Sequence, residues 1–322
     1  MKNTVPESQS ERVKATLEIL KSRLAQDDFP NNKQLLEICG DYGIQLLDSE
    51  GGPHLIHEIL ETALNLYLRE AHWIKARNFK SRDEILARLE DLTKRLPPQS
   101  WRDSEQIKFQ QFSTPPALAF VLAQLLRLKA GKSVLEPSAG TGSLAVWLKK
   151  ADCLTKVNEF SARRRMLLEL QNFKPFAVNA EFLDDLLPAQ VKPDFILMNP
   201  PFSANGGLSR DSNFGFQHTQ AALLRLNPGG RLVALLGAKA CLHTDKGKKF
   251  WHRLRKEYCV SAFLIIPPEV YYKYGTTFQT VAVVISKPEI SHQPTPFKPQ
   301  IREFKSLREA ARFIDDSDID NL

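Results

Sequence analysis

Lys132-Ser133-Val134-Leu135-Glu136-Pro137-Ser138-Ala139-Gly140-Thr141-Gly142 reads as a short apolar strand running into a glycine-rich turn, which Ser143 to Lys149 continues as a helix. Strand, glycine turn and helix in that order form the first unit of an open α/β sheet, whose ligands bind outside the carboxyl ends of its strands. Gly140 and Gly142 let the main chain approach a ligand closely. Further units follow. Val157-Asn158-Glu159 ends a second strand, and the three arginines of Ser161-Ala162-Arg163-Arg164-Arg165 read as the solvated face of the next helix. Residues 176–182 read as a third strand, Asp194-Phe195-Ile196-Leu197 as a fourth and 231–236 as a fifth. Two apolar runs, 263–266 and 280–285, read as paired strands at the sheet edge. The alternation predicts a mostly parallel, Rossmann-like α/β sheet. The turn alone leaves two chemistries open, because Gly140-x-Gly142-x-x-Ala145 also fits the dinucleotide pattern of a dehydrogenase, with Glu159 where a ribose-binding carboxylate would stand.

The fourth strand leads directly into Met198-Asn199-Pro200-Pro201-Phe202. A conjugated amino nitrogen is a poor nucleophile, since its lone pair is delocalised. Two acceptors that hold its two hydrogens draw the nitrogen toward tetrahedral geometry and free that pair. Asn199 offers a side-chain oxygen, and the carbonyl of Pro200 or its neighbour offers the second acceptor. Successive prolines hold Asn199 out of the α region and stiffen the turn, so both acceptors are preorganised. Phe202 offers a flat apolar face for a base turned out of its stack. Read without that chemistry, the stretch is a Pro-Pro turn closing a core strand.

The order of motifs resembles the gamma-ordered, SAM-dependent amino-methyltransferases of the N6-adenine DNA type. Phe112-Ser113-Thr114-Pro115-Pro116 precedes the glycine strand, Glu136-Pro137 precedes the glycines, and the Asn199 tetrad closes the fourth strand. The resemblance covers about residues 105 to 287. It implies a class I methyltransferase fold with a seven-stranded sheet and S-adenosyl-L-methionine (SAM) as cofactor. It also implies a cofactor site lined by Phe112, Thr114, Glu136, Pro137, Ala139, Gly140, Gly142, Glu159, Glu181, Phe182 and Asn199. Here Asp is more usual than Glu181, and Asp184 and Asp185 stand close behind, so the acid that meets the cofactor adenine is open among the three. Catalysis falls to Asn199, Pro200, Pro201 and Phe202, and substrate stacking to Phe202, Tyr272 and Phe278. Residues 218–235 and 272–278 are also similar to the methyltransferase module of plasmid and phage proteins related to strawberry notch. Those proteins commonly join the module to a helicase-like region; the N6-adenine resemblance itself implies DNA as substrate, room for a specificity or helicase partner subunit, and a restriction-modification setting.

The remaining stretches bound the reading. Residues 1–100 are helical in pattern, with Val13, Leu17, Leu20 and Leu24 at helical spacing, and read as a helical bundle domain ahead of a methyltransferase domain over 101–290. Residues 291–322 read as a Pro-containing linker and an acidic tail. No apolar window is long enough for a membrane span and no secretory segment opens the chain, so a cytoplasmic location without membrane contact is expected. Four scattered cysteines give no zinc spacing, and no metal is expected. A net charge of +7 favours a polyanionic partner. The helix-forming stretch 239–256 carries seven Lys or Arg against one acid. It reads first as a half-buried basic helix and second as a phosphate contact. The tetrad leaves the bearer of the nitrogen open: an rRNA or tRNA base amino group and a protein glutamine pose the same chemical problem. A catalytically silent relative serving as a nucleic-acid-binding subunit is the non-enzyme alternative.

Overall fold

The computed structural model describes residues 8–44, 52–74, 82–99, 113–201, 214–275, 278–289 and 298–316. Four helices come first: α1 (Gln9–Ala25), α2 (Asn32–Asp41), α3 (Gly52–Glu70) and α4 (Arg82–Arg95). Capping boxes start the first two, Ser8 with Glu11 and Asn31 with Gln34, each satisfying two otherwise orphaned backbone N–H groups. The alternating part follows as α5 (Pro116–Leu125), β1 (Ser133–Glu136), α6 (Ala145–Lys150), β2 (Leu154–Val157), α7 (Ala162–Leu170), α8 (Leu183–Leu186), β3 (Phe195–Met198), α9 (Phe214–Arg225) and β4 (Arg231–Gly237). Then come α10 (Ala238–His243), α11 (Asp245–Leu254), β5 (Cys259–Ile266), β6 (Thr280–Ser286), β7 (Gln300–Glu303) and α12 (Leu307–Asp316).

Seven strands form one sheet in the order β2-β1-β3-β4-β6-β5-β7. All neighbours are parallel except β6, which runs antiparallel to both β4 and β5. Both faces are covered, which is why the central strands read as unbroken apolar runs. Successive residues alternate between two cores. Leu197 and Val233 face a core shared with the N-terminal helices, whereas Met198 and Ala234 face one filled by Phe216, Phe250 and Trp251.

Three expectations are corrected. The expected third strand is reduced to a single parallel bridge between Asn158 and Phe176, and Ala180–Phe182 form a 3-10 turn. Pro175 lacks an N–H for a ladder. Asn158 takes the place of a neighbouring strand: its side chain accepts from Val178 N at 3.0 Å and donates to the Val178 carbonyl at 2.9 Å. The seventh strand comes instead from the stretch read as linker and tail. There β7 pairs with β5, and α12 buries Leu307, Ala310, Ala311 and Ile314. The helical segment, lastly, does not have a core of its own. Leu20, Ile59 and Leu64 belong to the same apolar cluster as Leu118, Val134 and Val284.

The α10–α11 corner depends on a close backbone approach. A Cβ on Gly247 would collide with the Ala240 carbonyl and lie 2.6 Å from that of Cys241. Gly247→Ala is expected to force α11 off α10 and lower stability by about 1–3 kcal/mol, read as a shift in the urea midpoint with unchanged slope.

Candidate active site

A cavity of about 710 Å³ opens at the carboxyl ends of β1, β2 and β3, where an open α/β sheet holds its ligands. The β1–α6 turn forms its floor. Gly140 and Gly142 take left-handed φ values of 56° and 92°, a backbone that disfavours side chains. Glu159, just beyond β2, grips this turn. Its Oε2 accepts from Gly140 N at 2.7 Å and its Oε1 from Ser161 N at 2.8 Å. Each oxygen keeps a second lone pair for a ligand hydroxyl. Glu136 closes β1 and is 1% exposed, and its Oε2 has no hydrogen-bond partner among the described residues. Burial, reinforced by the charge of Glu159, pushes its carboxyl well above the usual range.

The Asn199 turn forms the opposite wall. Asn199 Nδ2 donates to Thr114 Oγ1 at 3.0 Å, tying the catalytic-type turn to the segment that opens the alternating region. Tyr271 lies beside Asn199; burial drives its phenol up and the neighbouring Asn199 opposes that. Pro200, Pro201 and His218 complete the wall. Burial lowers the His218 pKa to about 4, so its ring is neutral near pH 7.

Of the residues singled out by sequence, Thr114, Glu136, Pro137, Ala139, Gly140, Glu159, Glu181, Asn199, Pro200 and Pro201 share this cavity. Gly142 lies in the same turn but packs behind it, where a Cβ would meet Leu168 Cδ2 at 3.1 Å. Phe112 and Phe202 lie outside the described residues. Among the three candidate acids, Glu181 lines the cavity, while Asp184 pairs with Arg225 at 3.2 Å and Asp185 is exposed. Phe182 is 53% exposed and is not among the residues that line the cavity. Among the described residues the phenylalanine that lines the cavity is Phe160, itself 69% exposed, which sequence reasoning missed although it directly follows Glu159. Tyr272 and Phe278 are both exposed and outside the cavity lining.

The other omission is α3. Glu61, buried and held above the usual carboxyl range by that burial, accepts from Gln99 Nε2 at 2.5 Å, Ser113 Oγ at 2.6 Å and Thr141 Oγ1 at 2.9 Å. It thus joins both ends of the 99–113 segment to the glycine turn. Asn65 Nδ2 donates to the Thr141 carbonyl at 2.9 Å. Glu58 accepts from Arg163 Nε at 2.7 Å and Arg164 Nε at 2.8 Å, so two of the three arginines read as a solvated face point inward. The signal was present. Glu58, Glu61 and Asn65 form a polar stripe at helical spacing in a largely buried helix.

Among the described residues, no cluster of His, Cys, Asp or Glu is arranged to hold a metal ion, and no helix is long and apolar enough to cross a membrane.

Residues 117–246 match the model of the methyltransferase small domain. No curated protein matches the chain in sequence. A Listeria monocytogenes protein described as a class I SAM-dependent methyltransferase is 15% identical, with 95% of this chain and 98% of that chain covered and a TM-score of 0.51. A Vibrio vulnificus protein described as a modification subunit of a type I restriction enzyme is 13% identical, with coverage of 94% and 83% and a TM-score of 0.50. TrmN from Thermus thermophilus is 21% identical over 53% of this chain, at a TM-score of 0.42, and the match spans 48% of its length. The fold is that of a class I SAM-dependent methyltransferase, and SAM is the cofactor. The cavity fits a ligand of that chemistry, since an unpartnered buried carboxylate oxygen suits a cation and the held carboxylate of Glu159 suits paired hydroxyls.

Proposed function

We propose that this SAM-dependent methyltransferase methylates an exocyclic amino nitrogen, adenine N6 in DNA. One observation carries the reading: the Asn199-Pro200-Pro201 turn shares a cavity with Gly140 and Glu159, and its amide nitrogen is engaged by Thr114. A primary amide held through its NH2 presents its oxygen on the other side. Asn199 Oδ1 and the Pro200 carbonyl then accept the two hydrogens of the target nitrogen and free its lone pair. SAM supplies the methyl group: the new C–N bond forms as the C–S bond breaks, sulfur keeps the bonding pair, and the nitrogen sheds one proton to solvent. Holding the two reactants in line recovers about 7–11 kcal/mol of the barrier.

In this assignment Glu159 accepts the ribose hydroxyls, Glu181 and Phe160 meet the adenine of SAM, and Glu136 faces its cationic methionine end. Phe112 covers the cofactor. Phe202 stacks on the target base, and Tyr272 and Phe278 are exposed rings on the segment whose Tyr271 lies beside Asn199. The net charge of +7 favours a polyanionic substrate. The Vibrio vulnificus neighbour is consistent with a restriction-modification role and a specificity or helicase partner subunit.

The Glu136 assignment carries a prediction with a defined sign. Because its carboxyl holds its proton above the usual range, and a cationic ligand favours the carboxylate, SAM binding should release a proton. Affinity should therefore rise with pH until the pKa of the ligand-free protein is passed, then level off. Calorimetry in two buffers of different ionisation enthalpy reads the released proton. Glu136→Gln should remove it and weaken SAM about tenfold or more. Unchanged proton release in that variant would refute the assignment.

Substrate choice is tested by offering duplex DNA, tRNA, rRNA and protein in parallel with methyl-labelled SAM and mapping the product. Label in DNA as N6-methyladenine supports the proposal. Label confined to an rRNA or tRNA base or to a protein glutamine transfers the same chemistry to that substrate and overturns the DNA reading.

A further inference from the structure

We infer that the exposed face of α11 is where the phosphate backbone of the substrate lies, an inference that rests on the nucleic-acid reading above. Its apolar side is fully committed. Phe250, Trp251 and Leu254 are buried, and Trp251 Nε1 donates to the Cys241 carbonyl at 3.1 Å. The other side is cationic. All seven lysines and arginines between 239 and 256 are exposed. Among the described residues the one carboxylate within ion-pair reach of any of them is Asp245, 3.7 Å from Lys248. A rigid helix that spends few of its cations on its own chain is suited to a polyanion.

Position adds the second argument. β3 and β4 run parallel, with Met198 opposite Ala234. The chain leaves β4 at Gly237 for α10 and α11, so these helices rise from the sheet edge that carries Asn199. Among the described residues, α9 links α11 to the cavity. Its His218 lines the cavity, while its Phe216 stacks on Phe250 at 4.5 Å and its Gln220 accepts from Arg253 Nη2 at 2.9 Å. A base can enter a closed pocket only by leaving its stack, and the flanking backbone must then be held across the mouth. Phosphate contacts supply that hold without reading sequence.

The test compares two full-length variants of equal charge change. Lys246→Gln/Lys248→Gln/Lys249→Gln alters the α11 face, and Lys14→Gln/Lys33→Gln/Lys94→Gln alters exposed lysines of the N-terminal helices. Anisotropy titrations use a labelled DNA duplex and an RNA stem-loop, each over a salt series of about 0.05–0.2 M. Losing three phosphate contacts should lower the slope of log K against log salt by about 2–3 and weaken binding on the order of a hundredfold at ~0.1 M salt. SAM affinity and thermal midpoint should stay at native values, and the control variant should bind as the native chain does. If the α11 variant binds normally, or the control loses as much, the inference is overturned while the substrate reading stands. If the native chain binds neither probe and labels only protein, both fall. The arm that shows the effect identifies DNA or RNA as the bearer.

Discussion

Asn199→Ala is expected to lower methyl transfer by at least about 10²–10³-fold while SAM still binds within a few-fold of the native affinity. In the proposed chemistry the variant removes one of the two acceptors on which the amino nitrogen depends, and a preorganised polar group at a reacting centre carries an effect of this size. It also deletes the Thr114 contact at 3.0 Å, which accounts for the modest cofactor penalty. Asn199→Asp separates the two roles. The carboxylate keeps an acceptor oxygen toward the substrate, and the Thr114 hydroxyl can turn to donate where it had accepted. Asp is therefore expected to retain more activity than Ala. Single-turnover assays with labelled SAM, beside calorimetric SAM titrations, distinguish the outcomes. An Ala variant with native turnover would remove Asn199 from the chemistry.

The second large effect concerns stability. Glu58 is 6% exposed and serves both Arg163 and Arg164 across the junction of α3 and α7. Burial raises its carboxyl pKa, but the two guanidinium groups outweigh that and hold it below the ordinary range. Glu58→Ala removes the buried carboxylate that both inward-facing guanidinium groups meet and should cost about 3–5 kcal/mol, read from the urea midpoint. Replacing all three groups with apolar residues of similar size should recover most of the loss. The sign with pH follows from the lowered pKa. The contribution of Glu58 is complete above the ordinary glutamate range and is lost as pH falls through the folded value. A Glu58→Ala cost under ~1 kcal/mol would show that water solvates the arginines after all.

Much of the architecture was legible because period and punctuation agree in the alternating part. Strands end at Glu136, Val157 and Met198, and each is followed by a turn whose residues need special backbone or carry polar chemistry. The errors have a common physical source, a side chain or a short amphipathic piece doing what a longer pattern usually does. Asn158 satisfies the backbone of Val178, so residues 176–178 look extended yet form no ladder. β7 is four residues with an exposed pattern, Gln-Ile-Arg-Glu, and carries no apolar run to announce it. Arg163 and Arg164 read as solvated because their partner lies more than a hundred residues earlier, beyond any local pattern. At the site, the atoms proposed to meet the target nitrogen and the cofactor sit on turns with recognisable signatures. The residues that brace those turns sit on α3, where only the polar stripe distinguishes them from ordinary helix.

That bracing has a kinetic consequence. The Asn65–Thr141, Glu61–Thr141 and Glu58–Arg163 contacts span 76, 80 and 105 residues. Closing loops of that length carries an entropy cost before any contact rewards it. The glycine turn can form locally within the β1–α6 unit, but the geometry that receives SAM is complete only after α3 has docked. The cofactor pocket is therefore expected to complete late in folding, so that SAM binding followed during refolding should lag the formation of the sheet.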